Sequence, residues 1–330
     1  MALGSEFDII RRYFAPLSEA APGAYGLGND AAVWRPADGC EAVITTDCMV
    51  AGVHFLPDDP PATVAAKLLA VNLSDLAAMG AKPAVYTIAT AWPKDMDENW
   101  IAAFASGLAQ AQAAAGVTLV GGDTVSTPGP MVLTLTAIGE VRSRMALPRG
   151  GAKVGDDVYV SGTIGDAALG LRVLRGELTP SDKTVGGYLI GRYRLPTARS
   201  TLGAGLAGLA TAAIDVSDGL VQDLGHIARE SGVNIVIDRD DIPLSVALKS
   251  ALDGNQTLWD SVFAGGDDYE LAFSAPPKAK DAILELANSS GTKATRIGIV
   301  GEASSGGPEV RVFDADRQIV PVGRQGYRHF

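Results

Sequence analysis

Residues 65–79 read AAKLLAVNLSDLAAM, and this nearly unbroken apolar stretch is the strongest indication of the fold. It predicts a helix over residues 61–79, with a Pro-Pro pair at its start and Gly80 just past its end, the asymmetry that helices favour. Asn72 and Asp75 are three positions apart, so the helix places them on one face. An aspartate inside such an apolar helix gains nothing for the helix itself, which makes Asp75 a candidate functional residue.

Strand-like and helix-like segments alternate on both sides of this helix. Strands are predicted at 42–46, 84–91, 117–120, 131–141, 158–161, 212–216, 234–237, 269–274 and 295–300. Helices are predicted at 97–115, 163–175, 185–194, 199–211, 218–231 and 278–290. A Ser/Gly stretch at 303–308 fits a hairpin turn. The Gly-rich, charged segment LPRGGAKVGD at 147–156 separates the two halves. We therefore predict an α/β (α+β) protein with two domains, over residues 1–146 and 147–330.

The charge balance restricts the partners of the chain. Its net charge is −11 and its pI is near 4.8, which argues against nucleic acid or an anionic membrane surface as a partner. No run of about 18 apolar residues is present, so we expect no membrane span. The N-terminus lacks the pattern of a signal peptide, and the two cysteines, Cys40 and Cys48, are too few for a disulfide framework. We expect a cytoplasmic protein.

Aspartates stand where a soluble fold would not place them without a reason. Each is flanked by apolar residues or glycine, and they are Asp30, Asp47, Asp75, Asp123, Asp215 and Asp218. Lone buried carboxylates are costly and are usually paired or bound to metal. Hard cations with oxygen ligands, Mg²⁺ above all, are the natural compensation, and the hydroxyls of Thr45, Thr46 and Ser217 add neutral donors. Taken singly, Asp218 also fits a helix N-cap, and Asp30 and Asp123 fit turns.

Phosphate-binding features are present, although the standard nucleotide motifs are missing. Gly121 and Gly122 form a flexible turn beside Asp123, whose N–H groups could cradle phosphate oxygens. Arg149 fits a phosphate clamp, and a solvated loop arginine is the alternative. No GxxxxGK[ST] motif occurs. His54 follows the Asp47 segment and is a site candidate, with a packed structural histidine as the alternative.

Seven motifs in order give the chain its resemblance to a known family. They are GLGNDAAV (26–33), TTDCMVAGVHF (45–55), AVNLSDLAAMGAKP (70–83), LVGGDT (119–124), DVSDGL (215–220), GGDDYEL (265–271) and GYRHF (326–330). Nearly end to end, the chain resembles the thiamine-monophosphate kinases. The resemblance implies a two-domain fold like that of aminoimidazole-ribonucleotide synthetase. It also implies a homodimer formed through the sheets of the N-terminal domains, which would bind metal and ATP phosphates.

The resemblance also implies roles for individual residues. Several Mg²⁺ ions would be bound by Asp30, Thr45, Thr46, Asp47, Asp75, Asp123, Asp215 and Asp218. ATP would contact Gly122, Arg149 and Ser217, beside Gly121 of the same turn. Thiamine monophosphate would contact His54, Asp267 and Tyr327. The chain departs from the family where Asp267 replaces a common glutamate and where Arg328 replaces a common acidic residue.

These observations predict one chemistry. The acceptor is a phosphate monoester with a second pKa of about 6, so it is already mostly dianionic at neutral pH and needs no general base. We expect Mg²⁺-assisted, direct in-line transfer of the ATP γ-phosphoryl group to thiamine monophosphate, giving thiamine diphosphate, with no protein nucleophile. The alternatives are another ATP-using enzyme of the same superfamily, such as an aminoimidazole-ribonucleotide or selenophosphate synthetase, and a non-catalytic acidic protein that binds divalent metal.

Overall fold

The computed structural model describes residues 5–323 together with 326 and 327. The last three residues of the GYRHF motif, among them Arg328, lie outside the described residues. The chain divides into two compact units. The first takes the described residues up to Leu76 together with Ala81–Arg144, and the second takes Ala77–Gly80 and the described residues from Met145 onward. Among the described residues, no helix has both the length and the apolar character needed to cross a membrane.

The first unit is built on a four-stranded sheet. Its strands are β1 (Cys40–Val50), β2 (Lys82–Pro93), β3 (Thr118–Thr127) and β4 (Val132–Arg142). They lie in the order β1-β4-β2-β3, with β2 and β3 parallel and the other two pairs antiparallel. The helices are α1 (Glu6–Ile9), α2 (Pro61–Ala78) and α3 (Glu98–Ala115), with short π- and 3₁₀-helical turns over Ile10–Phe14, Ala15–Ser18 and Pro22–Leu27.

The second unit is built on a six-stranded mixed sheet. Its strands are β5 (Asp157–Ser161), β6 (Ala212–Val216), β7 (Val233–Asp238), β8 (Glu270–Ala275), β9 (Ala294–Glu302) and β10 (Val310–Phe313), in the order β10-β7-β9-β5-β8-β6. The helices are α4 (Asp166–Leu174), α5 (Lys183–Arg194), α6 (Ser200–Leu206), α7 (Leu220–Ser231), α8 (Val246–Gly254), α9 (Trp259–Ala264) and α10 (Lys280–Ser289). Strands β5, β6 and β8 are buried along their whole length, so this sheet is covered on both faces.

Local sequence explains the helices that carry site residues. In α2, Leu68, Leu69 and Leu76 are fully buried, and Asn72 is buried with them. Helix α3 begins after Asp97, whose side chain accepts a hydrogen bond from the Asn99 N–H group, and its C-terminus is followed by Gly116 at φ +67°. A side-chain cap at the N-terminus and a left-handed glycine after the C-terminus are the usual ends of a helix.

Most of the predicted elements are present, with several differences. The segment 303–308 contains the predicted turn, with an antiparallel bridge between Ser304 and Gly307, but β9 and β10 do not pair with each other, because they lie on opposite sides of β7 in the sheet. Gly121 and Gly122, predicted as a flexible turn, lie within strand β3. The helix predicted over 199–211 ends at Leu206. The helix predicted over 218–231 begins only at Leu220. Helices α8 and α9 had not been predicted at all.

Candidate functional site

In the first unit, β1 and α2 bring Thr45, Asp47 and Asp75 together. The Thr45 hydroxyl donates a hydrogen bond of 2.5 Å to Asp75 Oδ2. Asn72, one helical turn before Asp75, accepts a hydrogen bond of 3.0 Å from the Asp47 N–H group through its Oδ1 atom. The Asn72 Nδ2 atom in turn donates to the Leu68 carbonyl at 2.9 Å. The buried amide of Asn72 therefore fixes strand β1 against helix α2 at the level of the two carboxylates.

The Asp47 carboxylate is held in an unfavourable place for a negative charge. Burial, and secondly the charge of Asp75, raise the pKa of Asp47 to about 6. A divalent cation bound at this pair would reverse the second effect, because it offers positive charge to both carboxylates. The Asp47–Asp75 pair, with the Thr45 hydroxyl beside it, is thus a set of oxygen donors suited to Mg²⁺.

Thr46 does not join this pair. Successive side chains of a strand point to opposite faces, so Thr46 lies on the other face of β1 from Thr45 and Asp47. Its hydroxyl lies 3.1 Å from the Leu135 carbonyl and 3.0 Å from the Thr136 hydroxyl, both on the neighbouring strand β4. The hydroxyl of Thr46, predicted as a metal ligand, therefore makes hydrogen bonds to strand β4 within the sheet.

His54 closes the turn that follows β1. Its Nδ1 atom accepts a hydrogen bond of 3.0 Å from the Val50 N–H group. The Nζ atom of Lys67, a buried residue of α2, donates to the His54 carbonyl at 3.3 Å. Because Nδ1 is an acceptor here, the ring proton of the neutral imidazole resides on Nε2. His54 thus has a structural role through Nδ1 and carries its ring proton on Nε2.

Asp30, Gly121, Gly122 and Asp123 line one open pocket of the first unit. The rest of its wall is largely apolar and includes Phe14 and side chains from the turns near the N-terminus and from strands β2 and β3. The Asp123 Oδ1 atom accepts a hydrogen bond of 2.9 Å from the Thr124 N–H group, which fixes the carboxylate.

Gly122 permits a close approach inside this wall. A Cβ atom on Gly122 would lie 1.9 Å from the Ile88 carbonyl oxygen of β2. Real side chains never approach a backbone oxygen so closely, so only glycine fits at this position. The pairing of β2 with β3 therefore requires glycine at position 122. The same glycine leaves the backbone beside Asp123 open to a phosphate.

In the second unit, the end of β6 carries Asp215, and the loop that follows it carries Ser217 and Asp218. Asp215 is buried in β6, whereas Ser217 and Asp218 are partly exposed. Asp223, in the first turn of α7, is a residue that sequence analysis missed. Its Oδ2 atom accepts hydrogen bonds of 3.1, 3.1 and 3.0 Å from the N–H groups of Ser217, Asp218 and Gly219. The alternative of Asp218 as the helix N-cap is wrong, because Gly219 is at that position and no side chain caps the helix.

Asp223 is itself a buried carboxylate close to Asp218. Burial, and secondly the charge of Asp218, raise the pKa of Asp223 to about 7, against the opposite effect of the three N–H donors. An acidic residue in the first turn of a helix was visible in the sequence. The sequence does not show that its carboxylate folds back onto three successive N–H groups.

The loop of the GGDDYEL motif lies against the Asp218 loop. The N–H group of Asp267 donates to the Ser217 carbonyl at 2.8 Å, and that of Tyr269 donates to the Val216 carbonyl at 2.8 Å. Asp267 and Tyr269 both have positive φ, at +71° and +50°. Such angles are uncommon for residues with a side chain and cost energy that the surrounding structure must offset. The backbone that presents Asp267 is therefore held in a fixed, strained shape beside Ser217.

Two acidic residues of the same motif are structural. Asp268 and Glu270 are fully buried. The Asp268 carboxylate accepts from the N–H groups of Gly165 and Ala167 at the start of α4, at 2.6 and 3.2 Å. Glu270 binds Arg199 through two hydrogen bonds of 2.7 and 2.5 Å, and Arg192 at 2.8 Å. Of the three acidic residues in DDYE, Asp268 and Glu270 are thus bound within the fold, and Asp267 is the candidate ligand-binding side chain.

Arg149 lies exposed in the loop that precedes β5. This loop is anchored on α7, because the N–H groups of Gly151 and Ala152 each donate to the Ser231 hydroxyl at 3.1 Å. Burial, and then the charges of Arg229 and Arg149, lower the pKa of His226. The guanidinium of Arg149 thus lies near His226, and its chemistry suits an anionic ligand.

Tyr327 contacts the Asp218 loop through its backbone. Its N–H group donates to the Asp218 carbonyl at 3.1 Å, and its side chain is about half exposed. Within the described ranges, no group of three or more His, Cys, Asp or Glu side chains is arranged to hold a metal ion. The candidate ligands stand as the Asp47–Asp75 pair, the Asp30–Asp123 pocket and the Asp215–Asp218 loop.

Comparison with known proteins completes the description. Two family models match the chain: AIR synthase related protein, N-terminal domain, over residues 28–141, and AIR synthase related protein, C-terminal domain, over residues 153–311. The chain is 43% identical to a thiamine-monophosphate kinase of Salmonella typhimurium over 332 residues, which cover 100% of this chain and 99% of the relative.

Solved structures agree with that result. A crystal structure of the thiamine-monophosphate kinase from Stenotrophomonas maltophilia is similar with a TM-score of 0.80 and 42% identity, over 89% of this chain and 91% of that one. The structure of AaThiL complexed with AMPPCP and TMP is similar with a TM-score of 0.78 and 31% identity, over 93% of this chain and 97% of that one.

Proposed function

The chain belongs to the thiamine-monophosphate kinase family, and we propose on that premise that it transfers the γ-phosphoryl group of ATP to thiamine monophosphate. The product is thiamine diphosphate. The observation that carries the proposal is identity of 43% along the whole chain, which includes both domains and every motif loop described above. Identity of this extent to kinases favours the kinase over the synthetases of the same superfamily and over a non-catalytic metal-binding protein.

ATP occupies the pocket of the first unit in this proposal. Its apolar wall suits a purine ring, and its polar end contains Gly121, Gly122, Asp30 and Asp123. Backbone N–H groups at Gly121 and Gly122 can approach phosphate oxygens closely, because no side chain intervenes. In the second unit, Arg149 and Ser217 offer a guanidinium and a hydroxyl, which are groups that bind phosphate oxygens.

Mg²⁺ is the metal that the donor set fits. Asp47, Asp75 and Thr45 provide carboxylate and hydroxyl oxygens at one place, and Asp30, Asp123, Asp215 and Asp218 are the further carboxylates of the proposal. The raised pKa of Asp47 supports a cation at this pair, since a positive charge there would offset the mutual repulsion. The Thr46 hydroxyl is left out of the ligand set, because strand β4 binds it. Bound Mg²⁺ ions would neutralise phosphate charge and hold donor and acceptor in line.

The protein needs to supply no general base or nucleophile. The acceptor phosphate has a second pKa of about 6 and is mostly dianionic at neutral pH. The residues of the chain bind and orient the two substrates and exclude other geometries. We infer that His54, Asp267 and Tyr327 bind thiamine monophosphate, since the negative charge of Asp267 suits the positive thiazolium ring.

A homodimer is part of the proposal. Strand β1 lies at the edge of the first sheet, and its residues Ala42, Ile44, Thr46 and Cys48 are exposed on one face. Ile44 is 65% exposed, which is unusual for an isoleucine in a strand. Pairing of two copies would cover this row. We expect Ile44→Lys to shift the sedimentation coefficient from dimer to monomer, whereas a wild-type monomer at micromolar concentration would remove this part of the proposal.

The test of the function is an ADP-release assay with three comparisons. We expect ADP release with thiamine monophosphate and Mg²⁺, and little with free thiamine or without Mg²⁺. Asp75→Asn should reduce turnover by at least a thousandfold while the far-ultraviolet circular dichroism stays unchanged. Asp95→Asn, an exposed aspartate of the same unit, serves as the control and should leave turnover unchanged. Full activity of Asp75→Asn would refute the metal-assisted mechanism, and absence of ADP release with thiamine monophosphate would refute the function.

A further inference from the structure

Gln222, in the first turn of α7, contacts both the Asp218 loop and the C-terminal segment. Its Nε2 atom donates a hydrogen bond of 3.0 Å to Asp218 Oδ2 and one of 3.0 Å to the Tyr327 carbonyl. The Tyr327 N–H group donates back to the Asp218 carbonyl at 3.1 Å. These three hydrogen bonds form a closed set that joins Asp218, Gln222 and Tyr327.

The chain before Tyr327 is shaped to fit Gln222. Gly326 has φ of +147°, and a Cβ atom on it would lie 2.6 Å from Gln222 Oε1 and 2.8 Å from Gln222 Cβ and Cδ. Only glycine combines this backbone angle with so close an approach. Gly326 therefore lies directly against the Gln222 side chain.

Gln222 has the one side-chain chemistry that suits both contacts. A primary amide offers two N–H donors, one for the Asp218 carboxylate and one for the Tyr327 carbonyl, without adding charge. A lysine would introduce a positive charge beside Asp218 and compete with a metal. A glutamate would repel Asp218 and could not donate to Tyr327.

We propose that Gln222 is a positioning residue for the kinase reaction, which orients the Asp218 carboxylate and holds Tyr327 at the thiamine end of the site. This inference rests on the proposed function, because Asp218 and Tyr327 have their roles there. It adds that Asp218, which would bind metal and phosphate, and Tyr327, which would bind the thiamine part of the substrate, both depend on the side chain of Gln222. Asp223 stabilises the same loop, because its carboxylate accepts hydrogen bonds from the backbone of Ser217 to Gly219.

A purely local role for Gln222 would have different consequences. A Gln–Asp pair four residues apart at the start of a helix stabilises the helix only slightly. Its loss would lower the melting temperature a little and leave the kinetic constants unchanged. The positioning role instead predicts a change in KM for thiamine monophosphate and in the Mg²⁺ concentration at half-maximal rate.

The test uses Gln222→Met, which keeps the length of the side chain and removes its hydrogen bonds. We expect KM for thiamine monophosphate to rise about tenfold, the effect of one lost hydrogen bond to a charged or well-ordered partner. We also expect half-maximal activity to need several times more Mg²⁺. Gln222→Glu should be more severe on both measures. Gln256→Met is the matched control, because Gln256 also donates to a backbone carbonyl, that of Leu252 at 2.7 Å, within the same unit. It should leave both measures unchanged.

A second variant keeps the proposal testable where Gln222→Met is poorly folded. Gly326→Ala displaces the C-terminal segment without altering α7, and it should raise KM for thiamine monophosphate. In the double variant Gln222→Met/Gly326→Ala, the rise in KM should be smaller than the product of the two single rises, because both substitutions act through the position of Tyr327. Wild-type KM and Mg²⁺ dependence in a folded Gln222→Met, or a wild-type KM in Gly326→Ala, would overturn the inference. A wild-type protein with no ADP release on thiamine monophosphate would instead refute the proposed function.

Discussion

Asp47→Asn should stabilise the metal-free protein while it removes activity. The Asp47 carboxylate lies in a partly buried place beside Asp75, and burial together with that neighbouring charge raises its pKa from 3.8 to about 6. An asparagine has nearly the same shape and carries no charge. The substitution therefore removes an unfavourable charge from the folded state, and at the same time it removes a ligand that the proposed Mg²⁺ needs.

The size of the stabilisation follows from the pKa shift. A shift of one unit corresponds to about 1.4 kcal/mol, so a rise of about two units sets an upper value of about 3 kcal/mol for the cost of the charge. Because solvent reaches part of the side chain, we expect about 1–3 kcal/mol. That is a large fraction of the stability of an ordinary domain, which is about 5–15 kcal/mol.

The pH dependence has a definite sign. The folded state binds the Asp47 proton more tightly than the unfolded chain does, so the contribution of this group to stability falls as pH rises. The loss begins near pH 4, where the unfolded chain ionises, and is complete once pH exceeds the folded pKa of about 6. The advantage of Asp47→Asn should therefore be full at pH 8 and small at pH 4.5.

Urea unfolding in EDTA at the two pH values is the appropriate measurement. We expect the midpoint of Asp47→Asn to exceed that of the wild type at pH 8 and to approach it at pH 4.5, with Asp95→Asn as an exposed control. Replacement of EDTA by Mg²⁺ and an ATP analogue should stabilise the wild type more than the variant. A lower midpoint for Asp47→Asn in EDTA at pH 8 would show that the carboxylate stabilises the fold, and the reasoning would fail.

Three further predictions concern residues that shape the site. Asp223→Ala leaves three N–H groups without their acceptor and should lower the free energy of unfolding by about 2–4 kcal/mol, measured in urea, with Asp223→Asn less affected; equal stability of the two variants would contradict this. Gly122→Ala forces a Cβ atom against the Ile88 carbonyl and should lower both stability and ATP affinity, measured by unfolding and by calorimetric titration; wild-type ATP affinity would argue against the pocket. Glu270→Ala leaves two arginines without their carboxylate and should cost about 3–5 kcal/mol in urea, a value that a loss below 1 kcal/mol would refute.

The sequence predicted the elements whose ends carry strong local preferences. Helix α2 has an apolar body between a Pro-Pro pair and Gly80, and it was found within a residue at its C-terminus. Helix α8 was missed, because its nine residues alternate apolar and polar side chains too briefly to show a period. The predicted Ser/Gly turn between β9 and β10 is present, but the two strands do not pair with each other as in a hairpin. A Ser/Gly turn is a local property, whereas the order of strands in the sheet depends on pairing with β7, far away in the chain.

The candidate site was predicted unevenly for similar reasons. Thr45 and Asp47 share one face of β1 and Thr46 the other, a difference that the period of two in a strand would have shown in advance. Asp223 and Gln222 could not be found in this way. Their contacts depend on how the β6–α7 loop and the residues near the C-terminus fold back onto α7, and nothing in the local sequence fixes that.

Glu270 and Asp47 are both acids withdrawn from solvent, but they differ in how their charge is compensated. Glu270 is fully buried, yet two arginines bind it at hydrogen-bond distance, so the fold itself offsets its charge. Asp47 is less buried, yet burial and, secondly, the charge of Asp75 raise its pKa to about 6. A protein gains no stability from such a pair, and neutral residues would fold at least as well. The Mg²⁺ proposed above would explain the pair, and on that proposal we expect the charge of Asp47 to matter for metal and phosphate while that of Glu270 matters for the fold.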